Sequence, residues 1–237
     1  MKILLTGHKG FIGSHVYEHL TRIGYDVDGL DRPDDIGDFA DVGCADYDIV
    51  IHLAAYAALR DSVKNPDKFW ENNVEKSQPI FDYCRKYNVR LLYASSAGAH
   101  GWWQNPYAIT KRVNEVQAPP NSVGMRFFNV WSEKVSRSDM LYRMLEEKTA
   151  TYLTRHKRDW IHVNDIVTAI ATLIPSSYNG VLDVGTGNPV SVIDLAKKMG
   201  MEHLPIKEDT PGERETTCAD ISQLMELGWT PTIDILD

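Results

Sequence analysis

The chain has 237 residues and a mass of 26.8 kDa, enough for one domain with an ample core or for one domain and a small annex. Hydrophobic residues make up 43% and charged residues 24% of it, a balance that excludes collagen-like, disordered and disulfide-scaffold chains. The 33 acidic residues outnumber the 25 basic ones and give a net charge of −8, which opposes nonspecific attraction to nucleic acid and to anionic lipid. We therefore expect no nucleic-acid partner.

The cysteines, histidines and apolar runs bear on location and on metal binding. Cys44, Cys84 and Cys218 stand far apart and form no CxxC pair, as is typical of reduced thiols in a cytosol. The opening run, MKILLT, is too short for a secretory signal, and no run reaches the roughly 18 apolar residues that a membrane-spanning helix needs. His15 and His19 share a helix face without a third ligand beside them, so no metal is predicted. The expected protein is cytoplasmic and has no membrane partner.

Short apolar runs alternate with stretches of helical periodicity over the first three quarters of the chain. This alternation is typical of βαβ units, in which helices cover both faces of a parallel sheet. The predicted strands cover residues 2–6, 26–30, 48–53, 89–95, 123–130 and 181–184. The fold class is therefore α/β, with a doubly wound parallel sheet.

Proline and asparagine set the boundaries of two predicted helices. One begins at Pro66 and runs toward residue 88, with a bend at Pro79, because proline lacks the N–H that an inner turn needs. A second covers residues 165–174, with Asn164 as its N-cap.

The segment Thr6-Gly7-His8-Lys9-Gly10-Phe11-Ile12-Gly13 directly follows the first predicted strand and opens a helix, the setting of a dinucleotide-binding turn. Gly7 permits the tight turn, Gly10 lets the backbone approach a pyrophosphate, and Gly13 lets the helix pack closely on the strand. Phe11 and Ile12 begin the helix, whose N–H groups and positive potential favour an anion. A plain glycine-rich turn is the alternative, and the strand–turn–helix context argues against it.

Two charged residues at the end of the second predicted strand distinguish the two nicotinamide cofactors. Asp31 lies 18 residues after Gly13, where a carboxylate accepts hydrogen bonds from ribose hydroxyls and repels a 2′-phosphate. This favours NAD. Arg32 can instead pair with that phosphate, so NADP stays open as the alternative.

A tyrosine, a lysine and a pair of serines form the predicted reactive group. Tyr107 and Lys111 are four residues apart and so share one face of a helix that ends before Pro119. Ser95 and Ser96 end an apolar strand just upstream, at the carboxyl edge of the sheet where such folds bind ligands. Together with the glycine turn, this set is far more specific than a YxxxK pattern alone.

These motifs resemble the extended short-chain dehydrogenase/reductase family, in its NAD-dependent sugar-nucleotide epimerase/dehydratase branch, over nearly the whole chain. The matching strings are TGHKGFIG, VIHLAA, NNV, YASSAGAHG, NPYAITK, GMRFFNV, RDWIHVNDIV and PGERETTCADISQLMELGW. The resemblance implies a Rossmann-type NAD(P)-binding domain formed by residues 1–128 and 160–184. It also implies a small, shortened C-terminal substrate-capping region, residues 129–159 and 185–237, that grips a nucleoside diphosphate sugar.

The same resemblance assigns catalytic roles to four residues. Tyr107 matches the general acid/base, and Lys111 matches the residue that orients the nicotinamide ribose and favours the phenolate. Ser96 matches the hydroxyl that hydrogen-bonds the reacting sugar oxygen, because it lies directly before Ala97. Asn73 matches an asparagine that contacts the cofactor or a structural water, and an ordinary helical asparagine is an equally good interpretation.

The remaining site residues are carried over to the cofactor and substrate sides. Leu53, Ala54 and Ala55 of HLAA would line the cofactor together with Phe128. Asn129 and Arg158 match substrate ligands, since a guanidinium suits a diphosphate, although Arg158 also lies in a charged run. In the resembled family an arginine usually stands where Thr210 is here, so one phosphate contact is lost unless Arg214 replaces it. His100 likewise stands where a tyrosine is typical.

The residues after Ser96 bear on which reaction is catalysed. Dehydratases of this branch place acidic residues there, whereas this chain has Ala97 and Gly98, which favours chemistry that needs only Tyr107 and a hydride acceptor. The best prediction is a UDP-sugar 4-epimerase that acts through a transient 4-keto sugar. Alternatives are a 4-keto reductase, a heptose-type 6-epimerase, a dehydratase and, as a non-enzyme, an NAD(P)-sensing binding protein. The resemblance also suggests a homodimer through a four-helix bundle formed around residues 66–87 and 107–117.

Overall fold

The computed structural model of the protein describes residues 1–31, 47–133, 140–208 and 214–237. The strands within these residues are β1 (Lys2–Thr6), β2 (Asp26–Leu30), β3 (Ile49–His52), β4 (Arg90–Ser96), β5 (Ser122–Phe127), β6 (Asn129–Trp131), β7 (Lys157–His162), β8 (Gly180–Val184) and β9 (Pro189–Ser191). Six of them form a parallel sheet in the order β2-β1-β3-β4-β5-β8. The direction of winding reverses between β1 and β3, so this open sheet has its topological switch point there. The predicted doubly wound Rossmann-type fold is confirmed.

Some of the helices cover the faces of the six-stranded sheet, and others pack against a second, smaller sheet. They are α1 (Phe11–Arg22), α2 (Leu59–Lys64), α3 (Pro66–Asn73), α4 (Gln78–Tyr87), α5 (Pro106–Gln117), α6 (Leu141–Glu146), α7 (Val163–Leu173), α8 (Val192–Lys198) and α9 (Ser222–Glu226). Alternation along β1 explains the two faces: Ile3 and Leu5 join the core under α1 and α7, whereas Leu4 joins the core under α4. A strand buried on both faces has consecutive apolar residues, as β1 has at Ile3, Leu4 and Leu5.

Two helix boundaries differ from the predictions. The chain from Pro66 is helical only to Asn73, and α4 begins at Gln78 after a 3₁₀ turn. Pro79 therefore lies in the first turn of α4, where its missing N–H costs nothing, and the bend precedes it. The predicted N-cap Asn164 is wrong, because the ring of His162 caps α7 by accepting a hydrogen bond from the N–H of Asn164 at 3.2 Å.

The second sheet has three strands, in the order β6-β7-β9, with β6 parallel and β9 antiparallel to β7. Its own apolar cluster contains Trp131, Tyr142, Leu145, Trp160 and Leu195. We call this sheet and its helices the small lobe, and the six-stranded sheet and its helices the large lobe. The resemblance implied domain boundaries at 128/129 and 159/160. The first falls between β5 and β6, and the second falls inside β7.

Each strand of the small lobe is joined directly to the large lobe. The predicted strand 123–130 is two strands separated by Phe128, whose N–H donates to the carbonyl oxygen of Val184 at 3.1 Å. β7 passes into α7 without an intervening residue, and only residues 185–188 separate β8 from β9. Three connections, each of four residues or fewer, therefore join the two lobes.

Asp159 fastens the C-terminal segment to this junction. Its fully buried carboxylate accepts hydrogen bonds from the backbone N–H groups of Thr186 at 2.7 Å, Gly187 at 2.9 Å and Ala219 at 2.9 Å. A buried carboxylate needs several donors to replace its hydration, and here the donors come from two separate loops. No helix in the described part of the chain is long and apolar enough to cross a bilayer.

Candidate active site

A cleft of about 1200 Å³ runs along the carboxyl ends of β1, β3, β4 and β5 and continues between the two lobes. Most residues assigned to the site from the sequence line it: Gly7, Gly10, Phe11, Ile12, Gly13, Leu53, Ala55, Ser96, Tyr107, Lys111, Phe128, Asn129 and Arg158. Asn73, Ala54 and Asp31 do not line it. Arg32 lies outside the described residues.

The glycine turn closes one end of the cleft. Gly7 has a φ of +76°, and a side chain there would also lie 2.7 Å from the backbone nitrogen of Ala54. A Cβ on Gly13 would collide with the carbonyl oxygen of Gly7, so α1 packs against the turn only because residue 13 is glycine. The first N–H groups of α1 have no partner within the helix and face an anion that approaches the turn. This cradle fits a pyrophosphate.

Asp31 and Ala54 support the turn from behind. The carboxylate of Asp31 accepts a hydrogen bond from the N–H of Lys9 at 2.8 Å, which holds it beside the turn where a ribose is expected. Ala54 donates its N–H to the hydroxyl of Thr6 at 3.3 Å. The two residues thus frame the cradle, and their place agrees with the NAD-type turn predicted from the sequence.

Tyr107 and Lys111 lie on the face of α5 that borders the cleft. The helix begins at Asn105, whose side chain accepts a hydrogen bond from the N–H of Ala108 at 2.9 Å, and Pro106 occupies its first turn. The Lys111 ammonium is 5.9 Å from the centre of the Tyr107 ring and donates to the carbonyl oxygen of Ala94 at 2.9 Å. Burial lowers the pKa of Lys111 to about 8, so it still carries its proton at neutral pH.

The two serines that end β4 point to opposite sides. Ser95 is buried and donates its hydroxyl to Glu115 at 2.6 Å. Ser96 is partly exposed, and its Oγ accepts a hydrogen bond from the N–H of Gly98 at 3.1 Å. Ser96 is the acceptor in that bond, so its O–H can still rotate and donate a hydrogen bond to a ligand. The geometry therefore favours Ser96 as the hydroxyl that serves a ligand.

Asn73 is a structural clamp beside the cleft. Its Oδ1 accepts from the backbone N–H of Tyr56 at 2.8 Å and from the Asn72 side chain at 3.0 Å. Its Nδ2 donates to the carbonyl oxygen of Tyr56 at 2.9 Å and to the Thr110 hydroxyl at 3.2 Å. Both donors and both acceptors of the amide are thereby used, which supports a positioning role between the Tyr56 loop and α5.

His52 links β3 to the base of the glycine turn. Its Nδ1 is 2.7 Å from the Thr6 hydroxyl, and its Nε2 is 3.0 Å from the Ser77 hydroxyl. Ser77 donates its hydrogen to the carbonyl oxygen of Asn73, so Nε2 carries the imidazole proton and Nδ1 accepts from Thr6. Burial, with a further contribution from the Lys111 charge, lowers the pKa of His52 to about 3. The ring is neutral in the folded protein.

This neutral histidine should make the protein sensitive to acid. Between pH 6.5 and about 3 the unfolded chain binds a proton at His52 and the folded chain does not, so the free energy of unfolding falls as pH falls, by about 1.4 kcal/mol per pH unit from this group. In His52→Gln that contribution is absent, and urea unfolding between pH 4.5 and 7 should show a shallower pH dependence. Equal slopes in the two proteins would contradict this prediction.

A buried charge network behind the cleft was not foreseen from the sequence. The carboxylate of Glu115 receives Nε and Nη2 of Arg126 at 2.7 and 2.8 Å, Nη1 of Arg112 at 2.9 Å and the hydroxyl of Ser95. Burial raises the pKa of Glu115, but the hydrogen bonds from Arg126, Ser95 and Arg112 outweigh it and hold this pKa below its ordinary value. The available signal was that Glu115 lies one turn after Lys111 on the same helix.

His100 extends this network toward β8. Its Nε2 is 2.8 Å from Asp183, and its ring centre is 6.4 Å from that of Phe128. Asp183 also accepts the N–H of Asp220 at 3.2 Å and lies 3.9 Å from Arg126. The histidine found where the resembled family has a tyrosine is therefore anchored beneath the cleft.

Two arginines lie at the small-lobe end of the cleft. Nη1 of Arg158 donates to the carbonyl oxygens of Arg214 at 2.8 Å and Glu215 at 3.2 Å. Arg214 itself lines the cleft, as Asn129 does. The structure thus brings Arg214 next to Arg158. This is the position that Arg214 needs if it is to replace the arginine that the resembled family has at residue 210. Thr210 itself lies outside the described residues. Guanidinium groups suit the oxygens of a diphosphate.

Comparisons with known proteins agree with this geometry. A sequence profile described as "NAD dependent epimerase/dehydratase family" matches residues 3–185. A "Putative UDP-glucose 4-epimerase" of Methanocaldococcus jannaschii is 29% identical over 290 positions, which cover 98% of this chain and 94% of that protein. "Protein CapI" of Staphylococcus aureus is 28% identical over 320 positions, which cover 100% of this chain and 96% of that protein. Since 237 residues extend over 320 positions, the alignment has large internal gaps on this side.

A solved structure is similar over the whole of this chain. It is described as "MoeE5 in complex with UDP-glucuronic acid and NAD", is 26% identical, and matches with a TM-score of 0.86 over 100% of this chain and 95% of that chain. Both lobes therefore have counterparts in a known fold.

Proposed function

Because the chain belongs to the NAD dependent epimerase/dehydratase family, we propose that it is an NAD-dependent epimerase of a nucleoside diphosphate sugar, with a UDP-sugar 4-epimerase as the specific activity. One observation carries this proposal: the glycine turn, Tyr107 with Lys111, and Arg158 with Arg214 all line a single cleft. These three groups suit a dinucleotide, a reacting sugar and a diphosphate, respectively.

The protein residues divide the chemistry of the proposed reaction. NAD, when bound, supplies an acceptor for the hydride of C4 and a source for its return. Tyr107 takes the proton of the C4 hydroxyl as the carbonyl forms and gives it back when the opposite face is reduced. The Lys111 ammonium stabilises negative charge on the tyrosine oxygen, and Ser96 hydrogen-bonds the reacting sugar oxygen. Arg158 and Arg214 hold the diphosphate while the sugar ring rotates to present its opposite face.

The acidic residues of the cleft favour an epimerase over a dehydratase. Elimination of water requires a further proton transfer and hence a further acid or base. Among the described residues, the only carboxylate that lines the cleft is that of Asp61, which lies 3.7 Å from the Lys68 ammonium and accepts from the Asn65 side chain at 2.7 Å. Ala97 and Gly98, which follow Ser96, offer no such group.

The buried lysine favours an enzyme over a binding protein that only senses NAD(P). Holding Lys111 in a site that lowers its pKa to about 8 costs free energy. A sensor has no use for a buried ammonium beside a tyrosine, whereas a proton-transfer site does.

The proposal is tested by incubating the protein and NAD with UDP-, dTDP-, GDP- and ADP-sugars and following the products by mass spectrometry and NMR. An isomer of unchanged mass supports an epimerase, and NMR places the inverted centre at C4 or, for the heptose alternative, at C6. Loss of water would indicate a dehydratase. In a parallel incubation with NAD(P)H, consumption of that reduced cofactor would indicate a reductase. No conversion of any sugar would contradict the proposed function.

We also propose the homodimer that the resemblance suggested. Its expected interface lies on α3, α4 and α5, where Trp70 is 42% exposed, Tyr87 58% and Val116 72%. Apolar side chains exposed together on neighbouring helices are typical of an interface. A single sedimenting species of monomer mass would contradict the dimer. The cytoplasmic location expected from the sequence stays a prediction.

A further inference from the structure

The cleft concentrates positive charge in a protein whose net charge is negative. Five cationic side chains line it, against the single carboxylate of Asp61 among the described residues, although the whole chain carries −8. The cations are Arg60, Lys64, Lys111, Arg158 and Arg214. Such a local excess attracts a ligand of high negative charge.

Three of these cations already have places in the proposed function. Lys111 is buried beside Tyr107, and Arg158 and Arg214 lie together at the diphosphate end. The phosphates of the dinucleotide are expected at the glycine turn, on the N-terminus of α1. Arg60 and Lys64, both on α2, therefore remain without an anion assigned to them.

The position of Arg60 brings it beside the reacting part of the substrate. Helix α2 packs against α5, and the hydroxyl of Ser62 accepts the backbone N–H of Tyr107 at 3.2 Å. From the same helix, Nη2 of Arg60 donates to the Tyr152 hydroxyl at 3.4 Å. Arg60 thus lines the cleft on the helix that also contacts the backbone of Tyr107, the predicted acid/base.

The guanidinium of Arg60 has unused hydrogen-bonding capacity. Its hydrogen bond to Tyr152 is long and solvent-exposed, and no carboxylate of the described residues pairs with it. Tyr152 is already stacked under the Lys207 ammonium, which lies 4.0 Å from the ring centre. A guanidinium offers five donors in a planar fork that matches the two oxygens of a carboxylate.

We infer that Arg60 binds a carboxylate on the sugar ring, so that the substrate is a nucleoside diphosphate hexuronate. This inference rests on the proposed function and specifies its substrate class. The diphosphate then binds Arg158 and Arg214, and the sugar carboxylate binds a separate cation of the same cleft, Arg60. Asp61 does not oppose the carboxylate directly, because it is paired with Lys68.

The test compares UDP-glucuronate with UDP-glucose, which differ only in the carboxylate. With NAD present, the wild-type protein should isomerise UDP-glucuronate with the higher kcat/KM. Arg60→Gln should lower that kcat/KM by about 100-fold, the effect of losing a charge-assisted bidentate contact, and should change the value for UDP-glucose by less than about threefold. Arg60→Lys keeps the charge without the fork and should recover part of the loss.

Lys64→Gln is the matched control, since it removes an equal charge from the same helix and the same cleft. It should lower kcat/KM for UDP-glucuronate at least tenfold less than Arg60→Gln does. Equal losses from Arg60→Gln and Lys64→Gln would assign the preference to the general field of the cleft and would overturn the role of Arg60. If Arg60→Gln lowers kcat/KM equally for both sugars, Arg60 acts only as a structural link to Tyr152, and the proposed contact with the carboxylate is overturned.

Calorimetric binding of the two UDP-sugars separates this inference from the proposed function. Isomerisation of UDP-glucose alone would overturn the inference and leave the proposed function intact. Isomerisation of no sugar would overturn the proposed function. In that case, tighter binding of UDP-glucuronate that Arg60→Gln abolishes would still support the inference, and equal binding of both sugars would overturn it.

Discussion

Replacing Tyr107 with phenylalanine should lower kcat for isomerisation by about three orders of magnitude, with KM changed by less than about threefold. The substitution removes only the hydroxyl to which we assign the proton transfer, and such transfers contribute about 10²- to 10⁴-fold to rate. The ring keeps its edge contact with Phe69, whose centre lies 6.4 Å away, and the backbone N–H keeps its bond to Ser62. Steady-state kinetics on the substrate identified by the sugar panel measures the effect.

Tyr87→Phe is the control for this experiment, because it makes the same chemical change at an exposed tyrosine of α4. Its kcat should equal that of the wild type, and the melting temperatures of both variants should remain within about 2 °C of it. A kcat reduced by less than tenfold in Tyr107→Phe would contradict the acid/base assignment.

Replacing Glu115 with glutamine should lower the free energy of unfolding by about 3–5 kcal/mol. The side chain of Glu115 is 1% exposed, and its carboxylate is the partner of both Arg112 and Arg126. Removing one member of a buried ion pair leaves the remaining charge uncompensated, which is the reason for the large loss. Equilibrium unfolding in urea at pH 7 measures it.

Glu147→Gln provides the comparison on the surface of the same protein. Glu147 also accepts Nε of an arginine, Arg143, at 2.7 Å, but its side chain is 41% exposed. An exposed pair at this spacing contributes about 0.3–0.5 kcal/mol. If the free energy of unfolding falls by a similar amount in the two variants, burial does not increase the contribution of the Glu115 network to stability.

The cofactor end of the site was predictable because its determinants are local in sequence. Gly7, Gly10 and Gly13 lie within seven residues. Gly7 has a positive φ and Gly13 has no room for a Cβ, whereas a Cβ on Gly10 would lie 3.1 Å from the carbonyl oxygen of Gly7. The spacing of Tyr107 and Lys111 was equally informative, since a four-residue interval fixes a shared helix face. The strands at 2–6 and 26–30 were predicted with their observed bounds for the same reason.

The features that were not predictable depend on contacts between distant segments. The Glu115 network joins α5 to β4 and β5, and the Arg60 contact with Tyr152 joins residues 92 positions apart. The division of residues 123–130 into two strands depends on the bond from Phe128 to Val184 in the neighbouring strand. Apolar periodicity carries no information on such partners. The cap formed by His162 was also missed, because N-cap preferences favour asparagine over histidine.

The three short connections between the lobes also limit how the protein moves. Domains joined by one or two flexible linkers close on their ligands by rotating through large angles. Here Phe128, the direct passage from β7 to α7, and residues 185–188 fasten the small lobe at three separate points. We expect these three attachment points to restrict how far the small lobe can rotate against the large lobe. For the proposed epimerase, we therefore expect the shape of the cleft, more than a closing motion, to decide which sugars are converted.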